Sequence, residues 1–320
     1  MRVKNKIIFF GSPEFAVSIL DGLLTHNYNV AAVFTQTDKP KGRGNKVQMP
    51  PVKEYALSHG IPVYQPKTLR DEAVINEIRE MKPDMIVVAA YGKIFPKELL
   101  EIPKYHCINV HGSLLPKYRG AAPVQRSIIN GETETGVTIM RMDEGCDTGS
   151  MIAKAAIGIP SDMDCGELFA KMGDVGSALL LDTVPHILDG SAIYEKQDDS
   201  LATYSPKIEK SELMLDFKKP AAELHNLIRG VYPYLVCGCY QSGEKGKRGL
   251  RIAKAEPLLY AGDEGPGTVI LTDAKENRLI VACGDGALNI TELIPEGKQK
   301  MKSGDYIRGR QINKGDILFN

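Results

Sequence analysis

Ile7-Ile8-Phe9-Phe10-Gly11-Ser12-Pro13-Glu14-Phe15 decides the architecture of the first half of the chain. Four strongly apolar, β-compatible residues stop at Gly-Ser-Pro, and apolar positions then recur at Phe15, Ile19 and Leu23 with helical spacing. That order is strand, turn, helix. Working outward, further strands are expected at 30–35, 85–90 and 106–110, with helical segments near 52–58 and 71–81 between them. Such alternation implies an α/β domain built on a mostly parallel, Rossmann-like sheet with helices on its faces. Two more strands are expected at 136–140 and 151–157, and a long helix over 165–188 closes the domain. Around residues 194–211 the pattern dissolves into polar residues, as in a linker. One helix, 220–229, then precedes glycine-punctuated β runs at 235–240, 250–255, 267–271, 279–282 and 287–293. Five short strands in so little chain suggest a small OB-like β-barrel, a type that commonly binds nucleic acid. The expected domains are 1–190, a linker over 191–210, and 211–320.

The 320 residues, 43% hydrophobic and 25% charged, have the composition of a folded globular chain. No apolar stretch approaches the ~20 residues that a membrane helix requires. The four apolar residues near the N-terminus are too few for a signal-peptide core, so a cytoplasmic address and no membrane partner are expected. Six cysteines never form C-x-x-C and are taken as reduced bystanders rather than metal ligands. The formal net charge is zero, yet residues 206–320 carry +3. Residues 36–53 hold Lys39, Lys41, Arg43, Lys46 and Lys53 against Asp38 alone. A neutral total therefore does not exclude a polyanionic partner.

Dinucleotide binding needs G-x-G-x-x-G directly after the first strand, so that backbone can approach a pyrophosphate. Here one glycine is followed by Ser-Pro-Glu, which argues against NAD and FAD, and no nucleoside-triphosphate loop is present. Chemistry in such folds sits beyond strand ends. Asn109 and His111, two apart near the end of the fourth strand, face the same side of an extended chain. The later stretch Met142-Asp143-Glu144-Gly145-Cys146-Asp147-Thr148-Gly149 is expected to bring a carboxylate-rich loop to the same edge. An amide and an imidazole can hydrogen-bond a developing oxyanion, and a carboxylate can orient the imidazole or assist proton removal. Taken singly, a His-Gly after a strand is more often a satisfied turn histidine, and Asp-x-x-x-Asp more often a solvated turn than a catalytic pair. With no G-x-S-x-G nucleophile elbow near His111, direct acyl transfer is the simpler chemistry.

The combination Asn109-x-His111-x-Ser113-Leu114-Leu115-Pro116, Tyr118-Arg119-Gly120-Ala121-Ala122-Pro123 and Asp143-x-Gly145-x-Asp147-Thr148-Gly149 resembles the signature of the formyltransferases that use 10-formyltetrahydrofolate. Ala90-Tyr91-Gly92-Lys93-Ile94-x-Pro96 adds to the match. Thr35-Gln36-Thr37-Asp38-Lys39-Pro40-x-Gly42-Arg43-Gly44 and Ala202-Thr203-Tyr204-Ser205-Pro206-Lys207-Ile208 extend it toward members that formylate methionyl-tRNA. The resemblance implies Asn109, His111 and Asp147 as the catalytic trio. It implies folate contacts at Ser113, Leu114, Leu115 and Pro116, and a pterin pocket lined by Tyr91, Gly92, Lys93, Ile94 and the Asp143 loop. It further implies tRNA contacts at Lys39, Lys41, Arg43 and Lys46, an initiator methionyl-tRNA substrate, no metal, and a chain acting as a monomer. One departure is the absence of tryptophan: Phe217 stands where an aromatic is expected, and Val231-Tyr232-Pro233-Tyr234 replaces a Pro-Trp-Pro run.

A sugar-nucleotide N-formyltransferase would share the trio but has no use for a basic loop at 39–46. A formyltetrahydrofolate hydrolase or a glycinamide ribonucleotide formyltransferase would lack the barrel. An idle RNA-binding module would not need the trio intact.

Overall fold

The opening run forms strand β1 (Lys6–Gly11), and helix α1 (Glu14–Thr25) follows the Gly-Ser-Pro turn. The structure is a computed structural model and describes residues 4–41, 46–243 and 246–320; at Lys41 and Lys46 the description stops at the backbone. Next come β2 (Asn29–Phe34), β3 (Lys39–Lys41), β4 (Lys46–Gln48), α2 (Pro51–Ser58), β5 (Val63–Tyr64) and α3 (Glu72–Met81). They are followed by β6 (Met85–Ala89), α4 (Lys97–Leu100), β7 (Cys107–His111), β8 (Arg119–Gly120) and α5 (Pro123–Ile129). β9 (Glu134–Arg141), β10 (Met151–Gly158), α6 (Cys165–Asp189) and β11 (Tyr204–Ser205) complete this part.

Seven strands form one sheet in the order β10-β9-β7-β6-β1-β2-β5. Pairing is parallel from β5 through β7, whereas β9 runs antiparallel to both β7 and β10. β6 reads Met-Ile-Val-Val-Ala with every residue buried, as a central strand covered on both faces must. Beside it, Phe10 stacks on Phe34 with ring centroids 4.6 Å apart and meets Tyr91 edge-on at 5.1 Å. Each such aromatic contributes about 1.5–3 kcal/mol through burial. Helix α3 starts at Asp71, whose carboxylate accepts the Ala73 N–H, and ends where Lys82 turns left-handed.

Two compact units divide the chain: Met1–Pro123 with Glu134–Gly158 and Phe169–Pro206, and Val124–Thr133 with Ile159–Leu168 and Lys207–Asn320. The second holds α7 (Ala221–Val231), β12 (Cys237–Gly243), β13 (Gly246–Leu258), β14 (Val269–Asp273) and β15 (Arg278–Ala282). It ends with β16 (Ala287–Pro295), β17 (Met301–Lys302), α8 (Ser303–Arg308) and β18 (Leu318–Phe319). The strands pair in the order β14-β15-β16-β13-β12-β18. A bridge between Thr268 and Ile317, with Leu318 N–H donating to Gly267 O at 2.8 Å, links the two ends, so the sheet curls into the expected barrel. Leu250, Ile252, Val269, Val281, Leu288 and Leu293 are buried in this unit's core. Phe217, at the position where the missing tryptophan was noted, is buried as well. Among the described residues, no helix is long and apolar enough to cross a membrane.

Candidate active site

Strand β7 places two of the three expected catalytic residues. Asn109 lies between Val88 of β6 and Met140 of β9, and His111 lies opposite Thr138. Because β9 is antiparallel, the loop after it leaves beside Cys107, at the far end of β7, and not from the edge where β7 ends. The loop climbs back. Gly149 lets it pass close to β9, since a Cβ there would sit 1.8 Å from the Arg141 carbonyl oxygen. Asp147, held with a left-handed φ of 54°, then comes within reach of β7. Its Oδ1 lies 3.5 Å from Asn109 Nδ2 and 3.6 Å from His111 Nδ1, while Oδ2 accepts the Gly120 N–H at 2.9 Å.

His111 is buried, and its Nε2 is 3.1 Å from the Tyr118 carbonyl oxygen. A carbonyl only accepts, so Nε2 carries the proton and Nδ1 presents its lone pair toward Asp147. The tautomer is thus set by Tyr118, while a carboxylate beside the imidazole, as the sequence reading expects, is supplied by Asp147. Asp147 is the group that stabilises a second proton, on Nδ1.

Around the trio lie residues that sequence reasoning passed over. Thr138 Oγ1 donates to Ser113 O at 2.7 Å and accepts the Leu115 N–H at 3.1 Å, pinning the turn after β7. Ser205 Oγ lies 3.1 Å from Tyr118 O and 3.0 Å from Arg119 O, with its one hydroxyl proton shared between the two carbonyls. β8 and β11 pair as two-residue parallel strands, Tyr204 with Arg119 and Ser205 with Gly120. The stretch treated as polar linker therefore contains Gln197 and Ser205, both buried and hydrogen-bonded.

The expected folate contacts divide. Ser113 is fully buried with its Oγ donating to Lys117 O, and Leu115 packs with Met140 and Met151. Leu114 and Pro116 remain partly accessible. Tyr91 is a core residue with only 2% exposure, Gly92 turns at φ 75°, Lys93 Nζ donates to Lys67 O at 3.0 Å, and Ile94 is 73% exposed. Tyr91 Oη is buried without a hydrogen-bonding partner, and burial pushes its pKa up to about 12. Such an unmet donor is what a bound polar ligand or water satisfies. Asp143 Oδ1 accepts from Gly145 N and Thr148 Oγ1, which braces the loop. A cavity of about 410 Å³ lies beside it, lined in part by Leu100, His106, Met142, Asp143 and Thr148. Its volume falls within the range of small-molecule sites. None of Tyr91, Gly92, Lys93, Ile94 or the Ser113 turn lines that cavity.

Of the basic run, β3 and β4 form an antiparallel pair that sets Lys39 opposite Gln48 and Lys41 opposite Lys46. Two short strands thus stand where an irregular loop was expected, and Arg43 lies outside the described residues. Lys53 does not belong with the free charges: its Nζ donates to both Asp38 oxygens at 2.9 and 2.7 Å and to Gln65 Oε1 at 2.8 Å. Hydrogen bonds from Lys53 and then Gln65 hold the Asp38 carboxyl below its usual range.

The formyl transferase model matches residues 5–184, and the model of the formyl transferase C-terminal domain matches 207–311. The methionyl-tRNA formyltransferase of Caldanaerobacter subterraneus subsp. tengcongensis is 46% identical over 314 residues, covering 98% of this chain and 99% of its own. That of Bacillus subtilis is 43% identical over 314 residues, covering 98% of each. Among solved structures, the sugar 3N-formyl transferase WlaRD superposes with a TM-score of 0.63 at 23% identity, over 93% of this chain and 98% of that one. HypX from Aquifex aeolicus in complex with tetrahydrofolic acid gives 0.65 at 14% identity, over 98% of this chain and 50% of that one. Those two likenesses concern the fold. Matched by both domain models and by relatives of the same length, the chain belongs to the formyltransferase family, in the branch of the methionyl-tRNA formyltransferases.

Proposed function

We propose that the chain transfers the formyl group of 10-formyltetrahydrofolate to the α-amino group of methionine esterified to initiator tRNA, acting in the cytoplasm as a monomer in translation initiation. The observation that carries this reading is the similarity to methionyl-tRNA formyltransferases over nearly the whole of both chains, barrel included. In the proposed division of labour, residues 1–190 carry out the chemistry, 191–210 connect, and 211–320 bind tRNA. Lys39, Lys41, Arg43 and Lys46 meet the acceptor end.

When bound, 10-formyltetrahydrofolate supplies an activated formyl carbon. Leu114, Pro116 and the backbone of Ser113 and Leu115 are the proposed contacts, with Tyr91 to Ile94 and Asp143 around the pterin; the unmet Tyr91 Oη supports this. Asn109 Nδ2 carries two N–H groups. One faces Asp147, and the other donates to the oxygen on which negative charge grows as the neutral amine attacks. The amine must then shed a proton. His111 receives it at Nδ1, because Nε2 is already committed to Tyr118. Once there, the proton lies against Asp147 Oδ1, and two facing acceptors become an ion pair. The imidazolium charge also lies beside the oxyanion. As the intermediate collapses, the bond between the formyl carbon and N10 breaks while the proton passes from His111 to N10, so that tetrahydrofolate leaves and the imidazole is neutral again. No metal is needed for any of these steps.

The test is release of tetrahydrofolate followed spectrophotometrically. Release that requires methionyl-tRNA and fails with uncharged tRNA supports the proposal; release of equal rate without any amine acceptor would mark a hydrolase and overturn it.

A further inference from the structure

Asp147 sits on a loop that Asp143 braces from within and that is gripped from outside at the Asp147 backbone. Its φ of 54° is a conformation that non-glycine residues adopt reluctantly, at a cost of about 1–3 kcal/mol, so the surroundings must impose it. Gln197 is what imposes it. The side chain is 4% exposed, and its Nε2 donates to Asp147 O and to Gly149 O, both at 2.7 Å. An amide nitrogen has two N–H groups, and each has one carbonyl to meet. The other end of the amide, Oε1, accepts from Arg119 Nε at 3.0 Å, which fixes which end faces the loop.

Arg119 is 2% exposed, and its charge is balanced by Asp199, whose Oδ1 accepts from Nη2 at 2.8 Å. The same strap of chain grips the site from its other side. Ser205 pairs with Gly120, the residue whose N–H donates to Asp147 Oδ2 at 2.9 Å, and Glu195 bridges to Met151 just beyond the loop. The strap thus fixes the backbone of Asp147 and the donor that receives its carboxylate. Glutamate in place of Gln197 would set oxygens against two carbonyl oxygens, and methionine would offer no donor.

We infer that Gln197, oriented by Arg119 and Asp199, is a positioning residue that sets the Asp147 carboxylate between Asn109, His111 and the Gly120 N–H; this rests on the catalytic role proposed above for Asp147. A double-mutant cycle on the full-length protein tests it, with single-turnover rates measured at saturating 10-formyltetrahydrofolate and methionyl-tRNA for the parent, Gln197→Met, Asp147→Ala and the double variant. Displacing a reacting group by about 1 Å costs on the order of 100-fold, so Gln197→Met is expected to lower the rate by about 10- to 100-fold. The KM of either substrate should stay within about threefold. In the Asp147→Ala background the same substitution should change the rate by less than about twofold, since its route of action is gone.

Asp199→Asn alters only the exposed end of the chain of contacts. It guards against a Gln197 variant that fails to fold, and a rate loss of about 3- to 10-fold with unchanged KM is expected. An inactive Asp147→Ala protein alongside a Gln197→Met or folded Asp199→Asn protein at the parental rate would overturn the inference while leaving Asp147 in place. So would a Gln197→Met effect that persists in full in the double variant. Parental activity in Asp147→Ala would overturn the reading of Asp147 itself.

Discussion

Replacing Asp147 by asparagine keeps the shape of the side chain and removes the one property the proposed chemistry needs. In the parent, Oδ2 accepts the Gly120 N–H at 2.9 Å and Oδ1 faces His111 Nδ1 at 3.6 Å. In the Asp147→Asn protein the amide would keep its oxygen on Gly120, so its NH₂ would face Nδ1 and donate to the lone pair there. The imidazole is then locked neutral, and the amine's proton has no seat beside a negative charge. General acid–base assistance is worth about 100- to 10,000-fold, and a loss of that size in kcat is expected. Stability should scarcely move. The hydrogen bond to Gly120 changes from charge-assisted to neutral, a difference of about 1 kcal/mol, or about 1–2 °C in Tm for a chain of this size. The assay is steady-state formylation of methionyl-tRNA, with KM for both substrates measured alongside Tm. A folded Asp147→Asn protein with kcat within about threefold of the parent would refute the proton route through Nδ1.

Asn109→Ala removes a donor aimed at the oxyanion and should lower kcat by about 100- to 1000-fold with little change in substrate binding, as stopped-flow binding and turnover together would establish. Arg43→Ala should weaken use of methionyl-tRNA, leave 10-formyltetrahydrofolate binding intact, and shallow the log-log salt dependence of tRNA binding by about 0.7–0.9 for one lost phosphate contact. In the second unit, burial and then Arg229 push His225 from 6.5 down to about 4. The folded state thus prefers neutral His225 and the unfolded chain takes up the proton first, so stability is intact above pH 6.5 and erodes as pH falls toward 4. His225→Gln should flatten that slope in urea titrations, by about 1–2 kcal/mol at most once screening of its accessible part is allowed for.

Long elements were legible because their residues repeat a signal. β6 is an unbroken apolar run, and α1 shows Phe15, Ile19 and Leu23 at helical spacing. The barrel strands stood out through alternation and glycine punctuation, although β13 extends well past its apolar centre, with register shifts near Ile252 and Lys254. Two-residue pairings such as β8 with β11 carry no periodicity at all and exist only through the fold. The direction of β9 was equally hidden, because a buried strand has the same pattern whichever way it runs. At the site, types and spacing pointed to Asn109, His111 and a carboxylate-rich loop, while Asp147 itself was picked out only by the resemblance. Arg119, though it stands in the quoted Tyr118–Pro123 signature, was given no role, and Gln197 was not singled out, since such side chains are normally exposed and nothing local marks these two as buried. Tyr91, read as a pocket wall, packs its ring against Phe10 in the core and leaves its Oη unmet, and an aromatic after a strand does not tell these two surroundings apart by sequence.

The central claim is the identity of the formyl acceptor, and competition tests it most directly. The protein would be given 10-formyltetrahydrofolate with methionyl-tRNA and an amino-sugar nucleotide together, and the products identified by mass spectrometry after hydrolysis of the aminoacyl ester. The account predicts N-formylmethionine with the sugar untouched. A formylated amino sugar beside unmodified methionine would contradict it.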